Sequence, residues 1–301
     1  MSDTPGICIH EEAGWQPPDP LRAELLATLR AMSDAGLNVG TAGNASVRLS
    51  RSEEQADGSQ VERSDENTPS HLQAQAGAAS TAARASPPSD REAHPSASRV
   101  HMLISPSGLP AERCRPQDMV EIDSDGAYAG PLAPSSEWKL HHDIYAAFPA
   151  AGAVLHAHSP FATALACQRI EIPPFHYMIA RFGGTTVRCA RYATFGTQAL
   201  SDATVAALQD RNACLLANHG MVVYGRDLGH ALALAIEFET LCAQYWRTLQ
   251  LGAPVLLSDE EMAELFAVAD TLVFPYRQID ASGVYYLTKS LRRWMIASSV
   301  G

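Results

Sequence analysis

Within the run VLHAHS at residues 154–159, His156 and His158 stand one residue apart. Side chains of a strand repeat every two positions, so both project from one side, roughly 7 Å apart along the backbone. A single metal ion can bridge that separation. Taken alone, the pair also fits one histidine closing a polar pocket and the other facing water. A third histidine, His219 in LLANHGM, ends an apolar strand just before Gly220, where a strand delivers a side chain to a site. Three neutral imidazoles with an open fourth position are the ligand set of a catalytic zinc. Glu137 opens the helix preceding the strand of the two histidines, and it is a candidate fourth ligand, general acid/base, or each in turn. An ordinary first-turn glutamate favoured by the helix dipole gives the same pattern.

Three clusters of small residues accompany these groups: GTAGNAS at 40–46, SPSG at 105–108, and Ser135–Ser136 directly before Glu137. Glycine-rich turns, hydroxyl side chains and a helix N-terminus together form a cradle for an anion. No positive side chain is required, so an acidic protein can hold a phosphate this way. The combination points to a small phosphorylated substrate beside a metal.

Alternating strands and helices must position these residues. Leu21, Leu25, Leu26, Leu29 and Met32 recur at helical spacing between Asp19–Pro20 and Gly36. A glycine-rich loop then feeds a strand through Val47 and Leu49. Residues 51–98 change character: Ser, Ala, Gln, Glu, Asp, Arg and Pro dominate, with Val61 and Leu72 the only large aliphatics and no aromatic. Such a segment buries too little surface to offset its ordering entropy, which predicts disorder. Strand character resumes at RVHMLIS, so the pair reads as a hairpin whose turn has been stretched, and closure entropy grows only logarithmically with that length. Further on, MVEIDSDGAYAG predicts a strand and a turn at Asp125–Gly126. SSEWKLHHDIYAAF predicts a helix ending at Pro149, AGAVLHAHS a strand, and Ser159–Pro160 a helix start. TTVRCA predicts a strand, TQALSDATVAALQD a helix and ACLLANHG a strand. Asp227 caps a long helix carrying Leu228, Leu232, Ala235, Phe238, Leu241 and Tyr245, and SDEEM offers a capping box for another. The alternation predicts a central sheet flanked by helices, class α/β or α+β.

The 301 residues suffice for one large domain. A net charge of −11 argues against nucleic acid or an anionic membrane as partner, since both need a basic footprint. Six scattered cysteines without a Cys-x-x-Cys pair fit reduced thiols serving as small core residues. MSDTPGICIHEEAGW has no basic start followed by an apolar run, and no segment reaches the roughly 18 apolar residues of a membrane span. A soluble cytoplasmic protein is expected.

GLNVGTAGNASVR, LISPSGLP, SSEWKLH, AVLHAHS, FHYMIARFGG, CARYATFGT and LLANHGMVVYGRDLGHALALAIEFETLCAQYW resemble, in order and spacing, the zinc-dependent class II aldolases of the aldolase/adducin superfamily. The likeness spans Leu21 to Leu249 apart from the insertion, and is strongest to the branch acting on L-fuculose 1-phosphate. It implies a single α/β domain over 19–270, interrupted at 51–98, with a lead at 1–18 and a tail at 271–301. The sheet is implied to be mostly antiparallel between helical layers, in a homotetramer with active sites at subunit interfaces. It further implies Zn²⁺ on His156, His158 and His219, with Glu137 as acid/base that also approaches the metal. Thr41, Gly43, Asn44, Ser107, Gly108, Ser135 and Ser136 fall on the family's phosphate and substrate loops. Tyr177 matches a tyrosine from the neighbouring subunit that serves the aldehyde oxygen, and Phe195 matches a residue shaping that side of the pocket.

The activity so implied is cleavage of a ketose 1-phosphate, L-fuculose 1-phosphate or a similar deoxy-sugar phosphate, into dihydroxyacetone phosphate and an aldehyde. The carbanion left by cleavage is tolerable as an enediolate beside a Lewis acid. The same scaffold also supports epimerases, decarboxylases and a dehydratase of sugar phosphates. An adducin-like binding module without turnover is the alternative of a different class, against which the retention of three histidines and Glu137 argues.

Overall fold

The computed structural model describes residues 19–49 and 100–271. The expectations for the 1–18 lead, the 51–98 insertion and the tail beyond 271 lie outside the described residues. Apolar side chains at helical spacing make α1 (Asp19–Asp34), which buries Leu25, Leu26, Leu29 and Met32. After a glycine-rich loop the period switches to two in β1 (Asn44–Arg48). Ala45 and Val47 face one layer of the core, while Ser46 sits on the opposite side among the residues of another. The hairpin expected across the insertion is present: β1 pairs antiparallel with β2 (Met102–Ile104), Arg48 standing opposite Met102.

β3 (Val120–Ile122) follows, and Gly126 closes the expected turn onto Asp123. α2 (Trp138–Ala147) stops just before Pro149 and leads to β4 (Ala153–Ala157). Next come α3 (Pro160–Cys167), a short β5 (Cys189–Ala190), α4 (Gln198–Ala207), β6 (Ala213–Leu216) and β7 (Gly220–Gly225). α5 (Leu228–Leu251) begins with the Asp227 side chain accepting from the His230 N–H at 2.7 Å, the cap read from sequence. α6 (Asp259–Thr271) opens with the reciprocal Ser258–Glu261 capping box.

The strands form one seven-stranded sheet in the order β3-β2-β1-β4-β7-β6-β5. Every pairing is antiparallel except β5 with β6. One face packs on α1, α3 and α5 through residues such as Leu155, Met221 and Phe238. The other packs on α2 and α4 through Ile104, Val154, Ile144 and Leu200. The class is therefore α/β, a mostly antiparallel sheet between helical layers.

Three expectations need correction. TTVRCA yields only two strand residues, since Val187 makes an isolated bridge to Ile172 and just Cys189 and Ala190 pair with β6. ACLLANHG is not one strand: β6 ends at Leu216, and Asn218 turns the chain at φ +55° so that β7 returns alongside. Asparagine tolerates that left-handed conformation, so the turn lacks the glycine punctuation that marks a hairpin in sequence. Finally, the cysteines are not uniformly core residues, because Cys167 is exposed and Cys189 half-buried while Cys114, Cys214 and Cys242 are buried.

Candidate active site

The two central strands β4 and β7 deliver the histidines. His156 lies inside β4, opposite Asn44 of β1, and His158 lies just beyond its end. His219 lies in the tight turn between β6 and β7, rather than on a strand as expected. Gly220 makes this approach possible: a Cβ there would meet the Ala157 carbonyl oxygen at 2.4 Å and the His158 ring at 3.0 Å. Across the sheet, Glu239 of α5 accepts from Ser159 Oγ at 2.6 Å and from the Phe161 and Ala162 N–H groups at 2.8 and 2.9 Å. It thereby caps α3 and fixes the turn that carries His158. The His158 N–H donates to Asn38 Oδ1 at 3.2 Å.

The three rings converge. Their centroids stand 4.7–4.9 Å apart, and one nitrogen from each lies within 4.8 Å of the others. His156 Nε2 and His158 Nε2 are 3.0 Å apart. Nitrogens bound tetrahedrally to zinc at about 2.0–2.1 Å stand roughly 3.3 Å from one another, close to the His156–His158 spacing, and the three residues together could hold a metal ion. His156 Nδ1 lies 2.9 Å from the Met221 carbonyl oxygen, which can only accept, so that nitrogen carries a proton and Nε2 is the one turned toward the other rings. Burial first, and the neighbouring His156 second, push His158 and His219 down to about 4, which keeps both rings neutral at neutral pH.

Glu137 is the N-cap of α2, yet its side chain makes no capping hydrogen bond, which removes the ordinary first-turn reading. Instead Oε2 lies 3.2 Å from His156 Nε2 and Oε1 lies 3.4 Å from His219 Nε2. Burial alone raises this carboxyl, but the adjacent imidazoles and the Asn44 amide outweigh it and hold it well below the usual carboxylate range. Oε1 has no hydrogen-bond donor although it is buried. A buried anionic oxygen without a donor, beside converging ring nitrogens, is what a cation would satisfy.

Thr41, Gly43, Asn44, Ser107, Gly108, Ser135, Ser136 and Phe195 all line one cavity of about 290 Å³ together with Glu137, His158 and His219. Gly43 is required there, since at φ +74° a Cβ would fall 2.3 Å from Asn38 Oδ1. Asn44 differs from its expected part in one respect: its side chain is engaged with Glu137 and His141. Tyr177 does not join this cavity. It begins a short 3₁₀ turn, Tyr177–Phe182, and is half exposed. Sequence reading missed Asn38, His141 and Glu239. Only His141 left a trace, as the middle member of a Glu137, His141, Tyr145 stripe at spacing four.

Residues 23–246 match the family described as Class II Aldolase and Adducin N-terminal domain. The chain is 54% identical over 161 residues to the 5-methylthioribulose-1-phosphate/5-deoxyribulose-1-phosphate aldolase of Rhodospirillum rubrum, covering 54% of this chain and 73% of that protein. It is 44% identical over 163 residues to the L-fuculose phosphate aldolase of Escherichia coli, covering 54% and 76%. Among solved structures, an L-fuculose 1-phosphate aldolase superposes with a TM-score of 0.63 at 31% identity, covering 83% of this chain and 95% of that one.

Proposed function

Because the chain belongs to the class II aldolase and adducin family, we propose that it is a zinc-dependent aldolase of a terminally deoxygenated ketose 1-phosphate, releasing dihydroxyacetone phosphate and an aldehyde. The observation that carries this is the cavity itself, where three converging imidazoles and an ionised Glu137 face loops able to seat a phosphate. L-Fuculose 1-phosphate and the 5-deoxy or 5-methylthio pentulose 1-phosphates share the half that the cavity would hold, and they differ at the aldehyde end. His156, His158 and His219 would hold the ion, with Glu137 beside them. When bound, zinc supplies the Lewis acidity that tolerates the charge left by carbon–carbon cleavage.

Thr41, Ser107, Ser135 and Ser136, with the N–H groups of Gly43 and Gly108, seat the phosphate and fix the substrate's orientation. In the condensation direction the ionised Glu137 takes a proton from the hydroxymethyl carbon of dihydroxyacetone phosphate. In cleavage it returns the proton to the same carbon. Tyr177, outside the cavity of its own chain, serves the aldehyde oxygen in the cavity of a second copy within a homotetramer, and Phe195 shapes that side. The catalytic unit is residues 19–270, with 51–98 an insertion outside it. No helix among the described residues is long and apolar enough to cross a membrane.

The test is a coupled assay for dihydroxyacetone phosphate across ketose 1-phosphates and pentulose 5-phosphates, with zinc measured on the same samples. Triose phosphate from a deoxyketose 1-phosphate, about one zinc per chain, and a Glu137→Gln variant slowed about 10²–10⁴-fold are expected. Epimerised pentulose 5-phosphates without triose phosphate would overturn the aldolase reading. Metal-free wild-type protein would favour a binding module.

A further inference from the structure

β1 and α2 meet along a polar seam of which the reaction chemistry above uses only Glu137. Helix periodicity places Glu137, His141 and Tyr145 on one stripe of α2, and strand alternation places Asn44 and Ser46 on one face of β1. Asn44 Nδ2 donates to Glu137 Oε2 at 3.0 Å. Asn44 Oδ1 lies 2.5 Å from His141 Nε2, His141 Nδ1 lies 2.7 Å from Ser46 Oγ, and Ser46 Oγ lies 2.8 Å from the Tyr145 hydroxyl. His141 and Ser46 are wholly buried, Tyr145 is 1% exposed and Asn44 4% exposed.

One fact orders every proton in this series. An ionised carboxylate can only accept, so the Asn44 amide turns its N–H₂ to Glu137 and its oxygen to His141. That oxygen also only accepts, so His141 carries its proton on Nε2. Burial, foremost among its surroundings, pushes His141 down to about 3, so the ring is neutral and Nδ1 is bare. Ser46 therefore donates to Nδ1, and Tyr145 donates to Ser46.

We infer that His141 is a positioning residue: it locks the Asn44 amide, and through it the Glu137 carboxylate, at the end of a one-way hydrogen-bond chain that starts at Tyr145. Without His141 the amide can rotate its oxygen toward Glu137, and the carboxylate loses both its donor and its fixed angle. The inference rests on the reading of Glu137 as the acid/base group.

Two variants separate this role from simple packing. His141→Leu removes both donor and acceptor, whereas His141→Gln keeps one of each. The expected result is a kcat lowered tenfold or more in His141→Leu, with KM within twofold and zinc content at the wild-type level. His141→Gln recovers most of the rate. Equal turnover in His141→Leu and wild type would overturn the inference while leaving the aldolase reading intact. If wild type itself cleaves no ketose 1-phosphate, that reading falls instead. A measurement independent of activity decides the chain in either case: ¹⁵N NMR of histidine-labelled wild-type protein should show His141 as the neutral Nε2–H tautomer. The Nδ1–H tautomer or an imidazolium would overturn the inference.

Discussion

The proton inventory of His141 makes the protein sensitive to acid in a defined window. Its folded value of about 3 lies below the ordinary 6.5, because burial and the nearby His156 outweigh the opposing Glu137. Between those limits the unfolded chain holds a proton that the folded chain lacks. Its contribution to stability is therefore complete above about pH 6.5 and declines as pH falls toward 3. A full proton difference corresponds to about 1.4 kcal/mol per pH unit. Urea unfolding of wild type and His141→Gln between pH 5 and 4 should show a slope shallower by up to that amount in the variant. Matching slopes would mean that His141 titrates as a free histidine. The three converging histidines and Glu137 were legible in sequence because His-x-His and an isolated Asn-His-Gly are conspicuous. Asn44 was legible as a loop residue but not as a partner of Glu137, since that contact joins positions 93 apart in the chain.

Elements meet at this site with little tolerance, and glycine sets the limit. β7 passes the end of β4 so closely that Gly220 has room for no side chain. The atom in the way is a backbone carbonyl of a paired strand, which cannot swing aside. Gly220→Ala is expected to separate the His158 and His219 turns, lower zinc content severalfold, and destabilise the protein by about 1–3 kcal/mol. Zinc analysis with thermal unfolding reads both effects, and a variant with wild-type zinc would show that the strands can part without disturbing the ligands. At the opposite face Arg48 ties β1 to the C-terminal end of α2, donating to the Ala151 carbonyl at 2.8 Å and also to the Tyr145 carbonyl. Periodicity exposed α1, α2 and α5 in the sequence, because an amphipathic stripe is a local property. β7 escaped because the hairpin before it turns on Asn218, and β5 shrank to two residues because an edge strand is defined by its neighbour rather than by its own composition.

At the scale of the molecule, the described residues on either side of the 51–98 segment are held side by side. Arg48 pairs with Met102, and the Leu49 N–H donates to the His101 carbonyl at 2.8 Å. Removing residues 51–98 is expected to leave zinc content and turnover within about twofold, because the flanking strands already pair and closure entropy changes only slowly with the length between them. A collapse of either would show that the segment belongs to the working unit. The order of the sheet was beyond sequence reading, because nothing local states that β4 pairs with β7 instead of a neighbour in sequence.

On the proposed reading the cavity would seat its anion without borrowing a basic side chain: none of the thirteen residues that line it is lysine or arginine. With a chain of net charge −11 around it, a doubly charged sugar phosphate approaches against a repulsive field. Dissolved salt should then speed capture, kcat/KM climbing between about 10 and 150 mM as the Debye length contracts, where a lysine-lined pocket would show a decline.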